Sequence, residues 1–141
     1  MVRIGPGDAT ERALLQAAQA ARLNAYAPYS KFRVGAALLD EAGRVHAGCN
    51  VENAAYPQGL CAEAAALAAM VLCGGRRASA LLVLGEGPEP VTPCGGCRQR
   101  LREFAAPDTP VLVADARGVQ QRFTLQELLS HGFGPEHLQR P

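Results

Sequence analysis

At 141 residues the chain is long enough for one domain with a proper core and too short for several. Its charges nearly cancel, 14 Lys and Arg against 13 Asp and Glu, for a formal net of +1. The arginines are scattered rather than gathered on a face that could track phosphates, which argues against nucleic acid and for a small polar substrate. Five cysteines are an odd number, which speaks for a reducing compartment and against a disulfide framework. Met1 to Gly7 hold no apolar signal core, and no apolar run reaches the ~18 residues of a spanning helix, so a cytoplasmic protein away from the membrane is expected.

In chain order, Asp8 and Glu11 form a capping pair, and Leu14, Leu15, Ala18, Ala21 and Ala25 recur at helical spacing. A helix is expected over Thr10 to Asn24, stopping before Pro28. After a loop from Tyr26 to Phe32, Val34, Ala36 and Leu38 alternate with Arg33, Gly35 and Ala37 as in a strand. Asp40 to Gly43 is a turn, and Val45 to Cys49 completes a hairpin. The segment Asn50 to Tyr56 puts amide and carboxylate groups at a strand end. It reads equally as a holder of substrate hydroxyls or as a turn in which Asn side chains bond local backbone.

Cys61-Ala62-Glu63 and Pro93-Cys94-Gly95-Gly96-Cys97 carry the chemistry. Three thiolates suit a tetrahedral zinc ion with one corner left for water, whereas a structural site closes all four corners with protein ligands. Neither segment offers a fourth Cys or His at ligand spacing. Residues two apart point to opposite sides of a helix, so Cys61 and Glu63 can serve one site only if Cys61 stands at a helix start with backbone not yet helical. Cys94 and Cys97 suit a Gly-Gly turn entering a second helix. Two helix N-termini then converge on an ion burdened with surplus negative charge. Glu63 is the candidate proton carrier. A lone Cys-x-x-Cys also fits a zinc knuckle or a redox pair; the joint pattern argues for catalysis.

From Ala64 to Cys73 the chain is apolar on every side, a helix that one sheet cannot cover alone, so a further subunit is expected against it. Gly74-Gly75 stops that helix. Ala80 to Leu84 reads as a central strand, Gly85 to Pro93 as a loop, and Cys97 to Phe104 as the third helix. Val111 to Ala114 and Val119 to Phe123 are two more strands around a turn at Asp115 to Gly118, and Thr124 to Glu127 is a capping box opening a short last helix through Leu129. His131 to Pro141 is a polar tail with Phe133 as its aromatic. Cys49 and Cys73 are expected as buried small hydrophobes, and His46, His131 and His137 as surface or loop residues.

Taken together, these segments resemble the small cytidine deaminases of the three-cysteine, homotetrameric class. The matching stretches are Ala27 to Phe32, Val34 to Leu38, Gly48 to Ala54, Cys61 to Glu63, Pro93 to Gln99, Leu125 to Leu129 and Phe133 to Pro135. The resemblance implies an α/β fold with a five-stranded mixed sheet sandwiched between helices, in agreement with the five strands read above. It implies zinc-dependent hydrolytic deamination of cytidine and deoxycytidine to uridine and deoxyuridine in pyrimidine salvage, with one zinc ion per subunit. Cys61, Cys94 and Cys97 would hold the zinc and Glu63 would shuttle protons. Asn50 and Glu52 would bind ribose hydroxyls and Phe32 would pack on the pyrimidine. Ala54 and Tyr56 would complete the substrate set, and Phe133 would reach a neighbouring subunit's pocket in a homotetramer with shared sites.

A related family acting on cytosine-containing antibiotics shares the zinc segments, and a non-catalytic zinc module is the other alternative; the Asn50–Glu52 pair favours cytidine and deoxycytidine over the first, and Glu63 with the open fourth position argues against the second. One position departs from the resemblance. Many members carry an arginine after the Cys-Ala-Glu triplet, and here Ala64 stands there. The helix N-termini, with Arg98, are expected to offset the thiolate charge instead.

Overall fold

A computed structural model describes residues 3–139. Met1, Val2, Arg140 and Pro141, which fall in the N-terminal stretch and the polar tail read from the sequence, lie outside the described residues. Helix α1 spans Ala9–Leu23, one residue earlier at each end than its periodicity predicts. Asp8 caps it, its carboxylate accepting from the Glu11 amide at 2.8 Å. Glu11 does not complete the pair: its carboxylate is drawn across to Arg122, where an opposite charge outweighs a backbone amide.

Five strands follow, β1 (Gly35–Asp40), β2 (Val45–Cys49), β3 (Ala78–Leu84), β4 (Pro110–Asp115) and β5 (Gly118–Thr124). They form one mixed sheet in the order β2-β1-β3-β4-β5, with β3 and β4 parallel and every other pair antiparallel. Helices α2 (Ala62–Leu72) and α3 (Gly95–Phe104) cover one face, and α1 covers the other. Adjacent residues of a strand point to opposite faces. Leu81 and Val111 therefore pack with Leu67, Met70 and Leu101 of α2 and α3, while Leu82 and Leu112 pack with Leu14 and Ala18 of α1.

The alternation read in β1 predicts a half-exposed strand, yet Gly35 to Leu38 are all buried. Gly35 and Ala37 are small rather than polar, and their size admits α1 against the face that the pattern assigns to solvent. On the other face a Cβ at Gly48 would sit 2.4 Å from the Ala66 nitrogen, so α2 rests directly on the backbone of β2. Gly74, at φ +92°, ends α2 as expected. A short helix α4 (Leu125–Leu128) starts with the predicted Thr124–Glu127 capping box, and no helix among the described residues is long and apolar enough to cross a membrane.

Register fixes where the site can be. Gly35 at the start of β1 lies opposite Cys49 at the end of β2 and opposite Leu84 at the end of β3. The chain leaves both β2 and β3 at that edge, and α2 and α3 both begin there, beyond the carboxyl ends of two strands that run the same way.

At the far end of β1, where its pairing with β3 shifts register, Asp40 is buried. Its carboxylate accepts from the Ala42 and Arg44 amides at 2.9 Å and from Arg44 Nε at 2.8 Å, and it meets His46 Nε2 at 2.8 Å. Arg44 also donates to the Cys73 carbonyl at 2.9 Å, tying the hairpin turn to the end of α2. His46 is thus a core residue, 7% exposed, and not the surface residue expected. Its place on the inward face of β2 and its hydrogen bond to the buried Asp40 carboxylate decide this. Cys73 is exposed and Cys49 only half-buried, because the first caps a helix end at the surface and the second ends an edge strand.

Burial disfavours the Asp40 charge, but His46, Arg44 and the turn amides outweigh it and hold the carboxyl well below the usual carboxylate range. A depressed folded pKa stabilises the fold above the unfolded value, about 3.9, and that stability is lost as pH falls below it. Asp40→Asn should therefore cost about 3 kcal/mol at neutral pH. Chemical denaturation between pH 7 and 3 checks this: the gap between wild type and variant should narrow at the acid end.

Candidate active site

Cys61 is the N-cap of α2, in extended backbone at φ −75° and ψ 151°. Cys94 is the N-cap of α3, at φ −65° and ψ 165°. Each side chain therefore leaves the chain just before helical geometry begins, as the Cys-x-Glu spacing requires for Cys61. Gly95 and Gly96 are the first two residues of α3 rather than a turn ahead of it, so that helix starts two residues earlier than predicted. Cys97 then lies in the first helical turn with its side chain buried.

The Cys61 and Cys94 sulfurs are 4.0 Å apart, and all three sulfurs lie within 4.8 Å of one another. Sulfurs bound tetrahedrally to one zinc at about 2.3 Å stand about 3.8 Å apart, so small side-chain rotations would close the cluster on an ion. The donor set fits as well, since soft thiolates select zinc among the common divalent ions. Burial, together with charge on the neighbouring sulfurs and Glu63, pushes the Cys61 and Cys97 thiols up. Cys94, also partly desolvated, is drawn down by the Cys97 amide and the adjacent sulfurs. Three thiolates crowded this closely oppose one another's ionisation, and a divalent cation is what relieves them.

Glu63, the second residue of α2, is 6% exposed. Burial pushes its carboxyl up, with its own amide, Cys97 and Arg100 pulling partly back. A carboxyl raised in this way holds a proton more readily than an ordinary carboxylate, as a group that takes and returns protons must.

Arg98 does not face the sulfurs. It donates to the Pro93 carbonyl at 2.7 Å, the Leu128 carbonyl at 2.8 Å and Thr92 Oγ1 at 3.1 Å, stapling the loop before Cys94 to α4. The expectation that Arg98 offsets the thiolate charge is thereby corrected. Arg100 reaches the cluster instead, its Nη1 3.6 Å from the Cys97 sulfur. Its position three residues after Cys97 in a helix is the sequence signal that would have found it.

Asn50 and Glu52 organise the loop that carries Phe32. Asn50 Oδ1 accepts from the Val34 amide at 2.8 Å, and its Nδ2 donates to the Phe32 carbonyl at 2.8 Å. Glu52 Oε1 accepts from the Tyr29 and Ser30 amides at 2.9 and 3.1 Å, and its second oxygen meets the Ser30 hydroxyl. These bonds hold a turn in which Lys31 adopts the left-handed conformation at φ 61°, which disfavours side chains. The two readings of this segment are therefore compatible. Each polar atom of Asn50 keeps one further hydrogen-bonding position, and Ser30 holds the Glu52 carboxyl below its usual range, hence ionised.

A cleft of about 380 Å³ is lined by Tyr29, Ser30, Glu52, Asn53, Tyr56 and Gly59. None of the three cysteines, Glu63, Phe32 or Asn50 lines it. Tyr56 is 76% exposed and meets Tyr29 edge to face at 5.9 Å, and Ala54 is exposed and does not line the cleft. The Phe32 ring lies toward Gly87 in the loop that leads to Cys94. Phe133 is half exposed and stacked on His137 at 4.9 Å. Its carbonyl accepts from Gln99 at 2.8 Å, and Arg102 pairs with Glu136, so a one-turn helix at Pro135–Leu138 docks the tail on α3. The sequence pattern did not foresee that turn, which His137 and the Gly134 backbone close locally.

Residues 8–113 match the family model described as the cytidine and deoxycytidylate deaminase zinc-binding region. A cytidine deaminase of Sporosarcina psychrophila is 43% identical over 125 residues, 89% of this chain and 92% of that protein. One of Mycobacterium tuberculosis is 44% identical over 120 residues, 85% of this chain and 86% of that protein. The crystal structure of cytidine deaminase from Burkholderia pseudomallei superposes with a TM-score of 0.81 at 44% identity, covering 86% of this chain and 98% of that one.

Asn50→Ala should free the Val34 amide and the Phe32 carbonyl and destabilise the protein by about 1–2 kcal/mol. Hydrogen exchange reads this locally: the Val34 amide should exchange faster than in wild type, with amides of β3 and β4 unchanged. An unaltered Val34 amide would show that Asn50 does not hold the loop.

Proposed function

We propose that this chain, which belongs to the cytidine and deoxycytidylate deaminase family, deaminates cytidine and deoxycytidine by zinc-dependent hydrolysis, releasing ammonia and serving pyrimidine salvage. The observation that carries the reading is the meeting of three sulfurs within 4.8 Å beside a buried glutamate. Cys61, Cys94 and Cys97 hold the metal. When bound, zinc supplies a Lewis acid that brings the pKa of a coordinated water to about 7.

The residues of the chain do the rest. Glu63 takes a proton from the attacking water and delivers it to N3 of the cytosine ring, which makes C4 electrophilic as the C4–O bond forms. Glu63 then carries the second proton to the exocyclic amine, the C4–N bond breaks, and ammonia leaves. Its burial supports this role, because a shielded carboxyl keeps its protons from bulk solvent between the two transfers. Phe32 packs on the pyrimidine. The unused positions on Asn50 and the charged Glu52 take the sugar hydroxyls, and the 3′ and 5′ hydroxyls that both nucleosides share support deoxycytidine as a second substrate. Ala54 and Tyr56 border that sugar.

The same reading makes the protein a homotetramer in the cytoplasm. Leu72 on α2 is 87% exposed, and Tyr56, Leu60 and Phe133 are also open, an apolar surface suited to further subunits. Phe133, anchored to α3 through its carbonyl, would present its ring to a neighbouring pocket.

Glu63→Gln should retain zinc and lose about 10²- to 10⁴-fold in turnover. The fall in ultraviolet absorbance with cytidine, beside the metal content of the same sample, measures it; a zinc-loaded variant at wild-type rate would remove Glu63 from the reaction. Sedimentation should return four subunits, and a sharp monomer at working concentration would refute the shared-site arrangement.

A further inference from the structure

Three thiolates and one zinc ion sum to a charge of −1, and Glu63 lies beside them. Something must offset that charge. The two helix N-termini contribute only partial charges of about +0.5 each, confined to their first turns. Residue 64, next to Glu63, is alanine, and Arg98 is spent on two carbonyls and a threonine hydroxyl. Among the described residues, Arg100 is the only cationic side chain whose hydrogen bonds reach one of the three sulfurs.

We infer that Arg100 is the counter-ion of the three-cysteine centre, a positioning residue whose guanidinium bonds the Cys97 sulfur and holds the thiolates in their metal-binding state. This rests on the reading of the cluster as a zinc site.

Geometry supports the assignment from three directions. Cys97 and Arg100 are three residues apart in α3 and so share a face of the helix. Nη1 stands 3.6 Å from the sulfur, within the reach of an N–H···S bond to a large, soft acceptor. Gly96 leaves the guanidinium room: a Cβ there would lie 3.3 Å from Nη1 and 4.0 Å from the Cys94 sulfur, in the gap between the cation and a second ligand. Arginine also keeps its charge at every working pH and directs its N–H groups in a fixed plane, which a lysine ammonium does not. The sign of the effect on metal binding follows from the charges. Three thiolates around one zinc ion carry a net charge of −1, so a fixed cation alongside favours the bound state.

Arg100→Gln and Arg100→Lys test this, with wild type alongside. Arg100 is exposed, so neither change removes core packing. Competition with a chromogenic chelator should show zinc held about 10- to 100-fold more weakly in Arg100→Gln, with partial recovery in Arg100→Lys. In the cobalt-substituted protein, the thiolate-to-metal charge-transfer band should move to longer wavelength in Arg100→Gln, since a sulfur that loses a hydrogen bond gives up its electrons more readily. With cytidine, kcat should fall more than KM rises. Wild-type affinity and band position in Arg100→Gln would overturn the assignment. So would a stability loss in the metal-free variant as large as that in the loaded one, which would mark Arg100 as structural. Wild type without zinc or turnover overturns the zinc reading itself, whereas a loaded, active wild type with unmoved Arg100→Gln overturns only the counter-ion.

Discussion

Everything at the site depends on two helices starting at one edge of the sheet. Because β1 lies antiparallel between β2 and β3, those two strands run the same way, and the chain leaves both at the same edge. The cysteines that cap α2 and α3 occupy the one backbone position where a side chain can leave the helix axis toward its partner. Cys97 and Glu63 follow within the first turns. Neither helix could slide without parting the sulfurs, and the contact of α2 with the backbone at Gly48 prevents sliding on one side.

Much of this was legible in the residues. The non-helical start at Cys61 followed from the two-residue gap to Glu63, and the sheet from five strand-like segments that lie close to the observed strands. The hidden parts involve neighbours far apart in sequence. Glu11 leaves its cap for Arg122, 111 residues away, and His46 enters the core because the buried Asp40 carboxylate meets its ring. Burial of Gly35 to Leu38 on both faces depends on a helix that local alternation does not register. Arg98 and Arg100 look alike in the sequence; only the path of the loop before Cys94 sends one to carbonyls and the other to a sulfur.

The loop around Phe32 illustrates a second economy of design. Asn50 and Glu52 serve as internal struts, accepting from and donating to backbone between Tyr29 and Val34. Their bonding capacity is only partly used. A ligand that engaged the remaining positions would therefore meet groups already oriented by the protein, with little side-chain freedom left to lose on binding.

The buried acid at the hairpin end lies the full length of β1 from Gly35, about 17 Å at the usual rise per residue. No partner of Asp40 contacts a cysteine of the cluster among the described residues. Sites so separated respond to change independently. One pole of the sheet can thus be hardened or softened against heat and acid while the opposite pole keeps its reactivity, and the two properties are free to evolve on separate schedules.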